Sequence, residues 1–200
     1  MRWPLACNSG WVMCQLQNCR AMLQAMFAVW RAGAVWVPAN FRQTAEGSAW
    51  LTQPSGARLL LCKAGFADHA SACRAGCDGL QVLCYGASGF APLVKALTGE
   101  FLGQRPQVAV AERDEPCWFF FTFGATGRPK ASVLTHGQVA FAVTNHLADL
   151  TSADAFLVVA PLSHSAGVHQ LTQIVRIATG VHGRLAPRRA ISALPRHLDS

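Results

Sequence analysis

Cys117–Ala131 reads CWFFFTFGATGRPKA. Its first half is a short, aromatic-rich apolar run, expected to form a buried strand over Cys117–Thr122. The run opens into Thr122, Gly124, Thr126 and Gly127, followed by Pro129 and Lys130. That is the chemistry of an anion-binding loop. Glycines remove the Cβ atoms that keep backbone N–H groups away from a phosphate, hydroxyls add donors, and a lysine adds a movable positive charge. A GxxxxGK[ST] loop needs Gly directly before its Lys, and Pro129 stands there instead. An ordinary strand-to-helix turn is the plainer alternative.

Around this stretch the chain is globular in composition. Of its 200 residues 52% are hydrophobic and 14% charged, which excludes general disorder and is enough for a sizeable core. Its longest apolar segments fall short of the roughly 18 residues of a membrane span, Ala21–Ala39 being broken by Gln24 and Arg31, so no spanning helix is expected. Asn8, Ser9 and Gly10 interrupt the apolar N-terminus and no cleavage pattern follows; a cytoplasmic location is the expectation.

The eight cysteines form no CxxC pair, and only Cys73 and Cys77 have helical i,i+4 spacing. Zinc sites use tighter pairs with His at ligand spacing, so no metal is expected and the cysteines read as small hydrophobes. Of the net charge of +7, the five Arg and one Asp from Arg176 onward contribute +4. That tail lacks aromatic interleaving or a basic helical face, so no specific nucleic acid is expected, and a nonspecific polyanion contact is the weakest alternative.

A helix followed by a short apolar strand recurs along the chain, the pattern of a doubly wound parallel sheet. Leu23, Met26, Phe27 and Trp30 fall on one helical face before Gly33, and strands are expected at Ala34–Val37, Arg58–Cys62 and Leu80–Tyr85, with helices at Ala45–Gln53 and Phe66–Cys77. Gly99–Asp114 reads as a linker touching a sheet edge. Beyond the loop, a helix over His136–Leu150, a strand over Phe156–Ala160 and a helix over Gly167–Ile177 are expected. Gly86-Ala87-Ser88-Gly89 falls short of GxSxG because Phe90 follows. Ser163 and His164 suggest a Ser/His pair, but chain neighbours rarely face one another. His136 and His146 read as a helix-start residue and a surface or core residue.

The loop resembles the signature of AMP-forming acyl- and aryl-acid:CoA ligases, the adenylate-forming superfamily, written [ST]-S-G-[ST]-T-G-x-P-K-[GA]. Eight of its ten places agree, and Phe123 and Ala125 do not. Asn18–Asn40, Leu134-Thr135-His136 and Ala160–Gly167, APLSHSAG, are similar to further family segments in the same order, so the resemblance covers Asn18–Val175. It implies an α/β fold made of part of the doubly wound parallel sheets of the family's large N-terminal domain, without the lid domain. It also implies ATP-dependent adenylation of a small-molecule carboxylic acid and then thioester formation with coenzyme A, with magnesium. By resemblance Thr122, Gly124, Thr126, Gly127 and Lys130 hold phosphate, and His164 lies near the acyl-substrate pocket.

The division this implies is 1–17 outside the resemblance, 18–98 a first α/β block, 99–114 a linker, 115–175 a second block with the phosphate loop, and 176–200 a disordered tail. The tail's bias toward Arg, Ala, Pro and Gly is also what an out-of-frame reading of a GC-rich gene would produce. The family's YGxTE segment is not in the sequence, and Phe123 and Ala125 delete two hydroxyl donors, so the chain is expected to be a catalytically inactive fragment. The alternative is a noncatalytic module that binds a nucleotide or acyl ligand. Self-association is expected through unpaired sheet edges.

Overall fold

The strand at the middle of the main sheet comes from the stretch left outside the resemblance. The computed structural model describes residues 10–87, 89–99, 101–104, 107–123, 129–145, 151, 155–158, 160–175 and 179–182. In it β1 is Trp11–Gln15, followed by α1 Arg20–Arg31, β2 Val35–Pro38, α2 Ala45–Ser55, β3 Ala57–Lys63, α3 Ala67–Gly76 and β4 Gln81–Tyr85. After α4, Val94–Gly99, come β5 Pro116–Phe123, β6 Pro129–Thr135, α5 His136–Asn145, β7 Ala155–Val158, α6 Ser165–Val175 and β8 Thr179–His182. β1 escapes a reading by pattern because it is short and ends in Gln15, a polar residue that is fully buried and accepts the Ser48 hydroxyl at 3.1 Å.

The main sheet has the order β4-β3-β1-β2-β5-β6, parallel throughout except for β6, which runs antiparallel to β5. Each face carries its own core. On one, Met22, Ala25, Met26 and Val29 of α1 pack with Cys14, Trp36 and Trp118. On the other, Leu51 of α2 and Phe66, Ala70 and Cys73 around α3 pack with Met13, Leu60, Cys62, Phe119 and Phe121. Helices on both faces of a mostly parallel sheet make the doubly wound arrangement expected from the sequence.

The inward stripe of α1 differs from the expected one. Met26 is buried, whereas Leu23, Phe27 and Trp30 are only partly so, because the helix is apolar around most of its surface and periodicity alone does not select the inner side. Trp30 still ties α1 to the sheet, its indole N–H donating to Cys117 O at 2.7 Å. The turn after α1 depends on Gly33, whose φ of 70° suits a residue without Cβ and whose N–H donates to Trp30 O at 2.9 Å.

Two further elements, β6 and β8, depart from the expectations. Residues 129–135, which lead straight from loop to helix in the sequence reading, form the edge strand β6, where Pro129 is tolerated as the first residue. The linker lies against the end of α1 through Ala109 N–H donating to Arg31 O at 2.9 Å. Thr179–His182, within the tail expected to lack structure, pair in parallel with β7 as a separate two-stranded sheet. Among the described residues no helix is long and apolar enough to cross a membrane.

Seven cysteines lie among the described residues, and all are free thiols. Burial pushes Cys14, Cys62 and Cys117 up to about 12. The thiolate is the reactive form, so these three are expected to resist iodoacetamide in the folded chain while the half-buried Cys19 and Cys77 are modified before them. Mass spectrometry after a timed pulse reads this directly. Modification of Cys14, Cys62 and Cys117 at the rate of Cys19, without denaturant, would contradict the packing described.

Candidate functional site

Strand alternation places Trp118, Phe120 and Thr122 of β5 on one side of the sheet. β6 is held against them in a register that sets Leu134 opposite Trp118 and Lys130 opposite Thr122. The third wall comes from the chain around the start of α6, which contributes His164 and Val168. Together Trp118, Phe120, Thr122, Leu134, His164 and Val168 line a cavity of about 350 Å³. This is within the usual size of a small-ligand pocket. Its walls are apolar apart from a hydroxyl and an imidazole, a combination suited to an apolar or aromatic body carrying a polar group.

The residues expected to hold phosphate fall differently with respect to the described structure. Gly124, Thr126 and Gly127, with Ala125 and Arg128, lie outside the described residues. Thr122 and Lys130 stand at the hairpin ends that flank them, and both are exposed. The Thr122 hydroxyl donates to Lys130 O at 3.4 Å. The loop therefore joins two antiparallel strands. The alternative of a plain strand-to-helix turn is corrected, and a helix N-terminus is not the donor directly after the loop.

His164 and Ser163 are in contact, contrary to the expectation for chain neighbours. The Ser163 hydroxyl and His164 Nδ1 lie 2.9 Å apart, which orients the ring and leaves Nε2 as its second polar atom. Ser163 is buried, so it serves as a prop for the imidazole, and the ring of His164 also meets Phe120 edge-on at 6.1 Å. The tight turn is closed by His164 N–H donating to Pro161 O at 3.2 Å and Gly167 N–H donating to His164 O at 2.9 Å.

Two further residues hold this wall. Asn18 reaches it from just before α1, donating from Nδ2 to Ala160 O at 2.8 Å and accepting from Leu162 N–H at 2.9 Å. At Gly167 a Cβ would lie 2.3 Å from Leu162 O and 2.6 Å from Trp118 Cη2, so the helix can approach the sheet this closely only without a side chain. That the two meet at one wall was not legible, since Asn18 lies 142 residues from Ala160 and Gly167 meets Trp118 on another element. His136 begins α5 as expected, with its ring 6.4 Å from Trp30; His146 lies outside the described residues.

A family model described as AMP-binding enzyme matches residues 8–190. The chain belongs to the AMP-binding enzyme family. The match extends beyond both ends of the stretch from Asn18 to Val175 over which the resemblance was read. Among curated relatives of the chain, feruloyl-CoA synthase from Amycolatopsis sp. is 32% identical over 184 residues, covering 88% of the chain and 34% of the relative. Crotonobetaine/carnitine–CoA ligase from Escherichia coli is 32% identical, covering 76% and 31% respectively. The chain thus spans about a third of the length of these relatives.

Solved structures agree on the fold. The anthranilate CoA ligase AuaEII in complex with anthranoyl-AMP superposes with a TM-score of 0.78 at 15% identity, covering 87% of this chain and 35% of that one. Apo MbtA from Mycobacterium smegmatis superposes with a TM-score of 0.77 at 24% identity, covering 86% and 34%. At these identities the likeness is one of architecture: the chain has the mixed α/β fold, dominated by a parallel sheet, expected from its sequence.

Proposed function

We propose that this chain supplies the phosphate loop and one wall of the acid pocket of an AMP-forming acid:CoA ligase. The observation that carries the reading is the position of Thr122, which belongs both to the hairpin bearing the loop and to the cavity that holds His164. A pocket that shares a residue with the phosphate loop is where a carboxylate would have to sit to meet the α-phosphate of ATP. The pocket's apolar walls fit the organic part of such an acid. Feruloyl-CoA synthase among the relatives makes an aryl-substituted acid such as ferulate the first compound to try.

ATP, when bound, supplies the electrophilic phosphorus and the pyrophosphate leaving group, and coenzyme A supplies the accepting thiol. The exposed Thr122 and Lys130, paired across the mouth of the hairpin, bring a hydroxyl and an ammonium suited to an anion. With Gly124, Thr126 and Gly127 they would hold the β- and γ-phosphates, placing donors where negative charge grows without reorganisation. Among the described residues no group of three or more His, Cys, Asp or Glu side chains could hold a metal ion, so none of them is assigned to magnesium.

The 200 residues contain no YGxTE segment, and Phe123 and Ala125 occupy two hydroxyl positions of the loop. The chain by itself is therefore read as binding nucleotide weakly and not turning over. Calorimetry with ATP tests the loop. Lys130→Ala is expected to weaken binding about 10- to 150-fold, the range for a lost hydrogen bond to a charged group. Equal ATP affinity in the two proteins would sink the assignment of Lys130. Acid-dependent ATP–pyrophosphate exchange by the unmodified chain would overturn its inactivity.

A further inference from the structure

We infer that Asn18 is a positioning residue for the cavity, setting the turn that carries His164. This rests on the reading of the cavity as the acid pocket, and it is carried by a pair of hydrogen bonds that crosses most of the chain. Asn18 Nδ2 donates to Ala160 O at 2.8 Å, and Asn18 Oδ1 accepts from Leu162 N–H at 2.9 Å, over separations of 142 and 144 residues. Only a carboxamide offers a donor and an acceptor side by side at this length. A carboxylate keeps the acceptor and loses the donor, and an alanine loses both.

The location of Asn18 strengthens the assignment. An Asn beside a helix start ordinarily caps the first turn. Here the N-cap is Cys19, which makes no side-chain cap, and Asn18 directs its amide to the remote turn instead. The fixed points then follow one another along the turn: Ala160 and Leu162 are held by Asn18, His164 N–H by Pro161 O, and the imidazole by the Ser163 hydroxyl. Releasing the first of these frees the backbone that sets the last. The device also ties the start of α1 to the turn before α6, so a wall whose lining residues lie between Trp118 and Val168 is held in place from Asn18.

The test combines hydrogen exchange, NMR and ligand binding on the full 200-residue chain. In Asn18→Ala the Leu162 amide is expected to exchange at least about tenfold faster, and the ring resonances of His164 to move as its contact with Ser163 loosens. Affinity for ferulate, the probe used, should fall about tenfold, with ATP affinity unchanged. Unchanged Leu162 exchange and His164 resonances in a folded Asn18→Ala chain overturn the inference. So does a parallel fall in ferulate and ATP affinity, which marks a merely structural role. If the unmodified chain binds no ferulate, the pocket reading fails, while the Leu162 and His164 measurements still decide whether Asn18 sets the turn. Should Asn18→Ala not fold, Asn18→Asp carries the same comparison: its Leu162 amide should stay protected while the His164 resonances move, and unmoved resonances overturn the inference.

Discussion

Exchanging Trp118 for alanine is expected to remove about 3–5 kcal/mol of stability, the usual cost of emptying a large aromatic site in a core. Native domains are stable by only about 5–15 kcal/mol, so the variant should lie close to unfolding at room temperature. Trp118 is 1% exposed and packs on Trp36 at 4.7 Å and on Trp30 and Phe120 at 6.2 Å between ring centroids. It pairs with Trp36 on β2 and Leu134 on β6, and its six-membered ring lies against Gly167, so its loss loosens the sheet and α6 together. The indole N–H is buried without an acceptor. Trp118→Phe removes that unpaired donor and keeps part of the volume, and should cost much less. Denaturant titration followed by far-UV circular dichroism compares the three chains. A midpoint for Trp118→Ala equal to that of the unmodified chain would show that this aromatic cluster does not hold the two elements together.

The second large effect is a gain. Restoring both loop hydroxyls with Phe123→Ser and Ala125→Thr is expected to tighten pyrophosphate binding by about two to four decades, from two donors to a charged acceptor at about 1.5–3 kcal/mol each. Phe123 is the last residue of β5 and is paired with Pro129, which puts this substitution at the mouth of the hairpin. Ala125→Thr alone should gain less, because one of the two donors is then still missing. Calorimetric titration with pyrophosphate measures all three proteins. If the double variant keeps the circular dichroism of the original chain and shows no gain, the loop does not act as the phosphate site.

Where the sequence could be read, local chemistry and tertiary role coincided. The apolar run at β5 is buried on both faces, as a strand at the inside of a parallel sheet must be. Gly33 and Gly56 stand where the chain turns with positive φ, and the strand and helix between them are found within a residue or two of their expected ends. Where reading failed, the deciding contacts were remote. β1 is short and ends in a buried glutamine, and its central place follows only from pairing with β2 and β3. β6, PKASVLT, opens on Pro129 and Lys130 of the loop motif, and its place at the sheet edge follows only from antiparallel pairing with β5. α1 is apolar on several sides, so only packing against the sheet selected Met22, Ala25, Met26 and Val29.

The residues of this chain by themselves determined the α/β class, the alternation of helix and parallel strand, the family, and the glycine-rich loop that follows a buried strand. Each of these is written in short-range spacing and in the conformational limits of Gly and Pro. The tertiary structure alone decided that Thr122 and His164 share one cavity, that Ser163 props the imidazole, and that Asn18 holds the turn from the far end of the chain. The last of these depends on atoms brought within hydrogen-bond distance across 142 residues, and no local pattern encodes a contact of that separation.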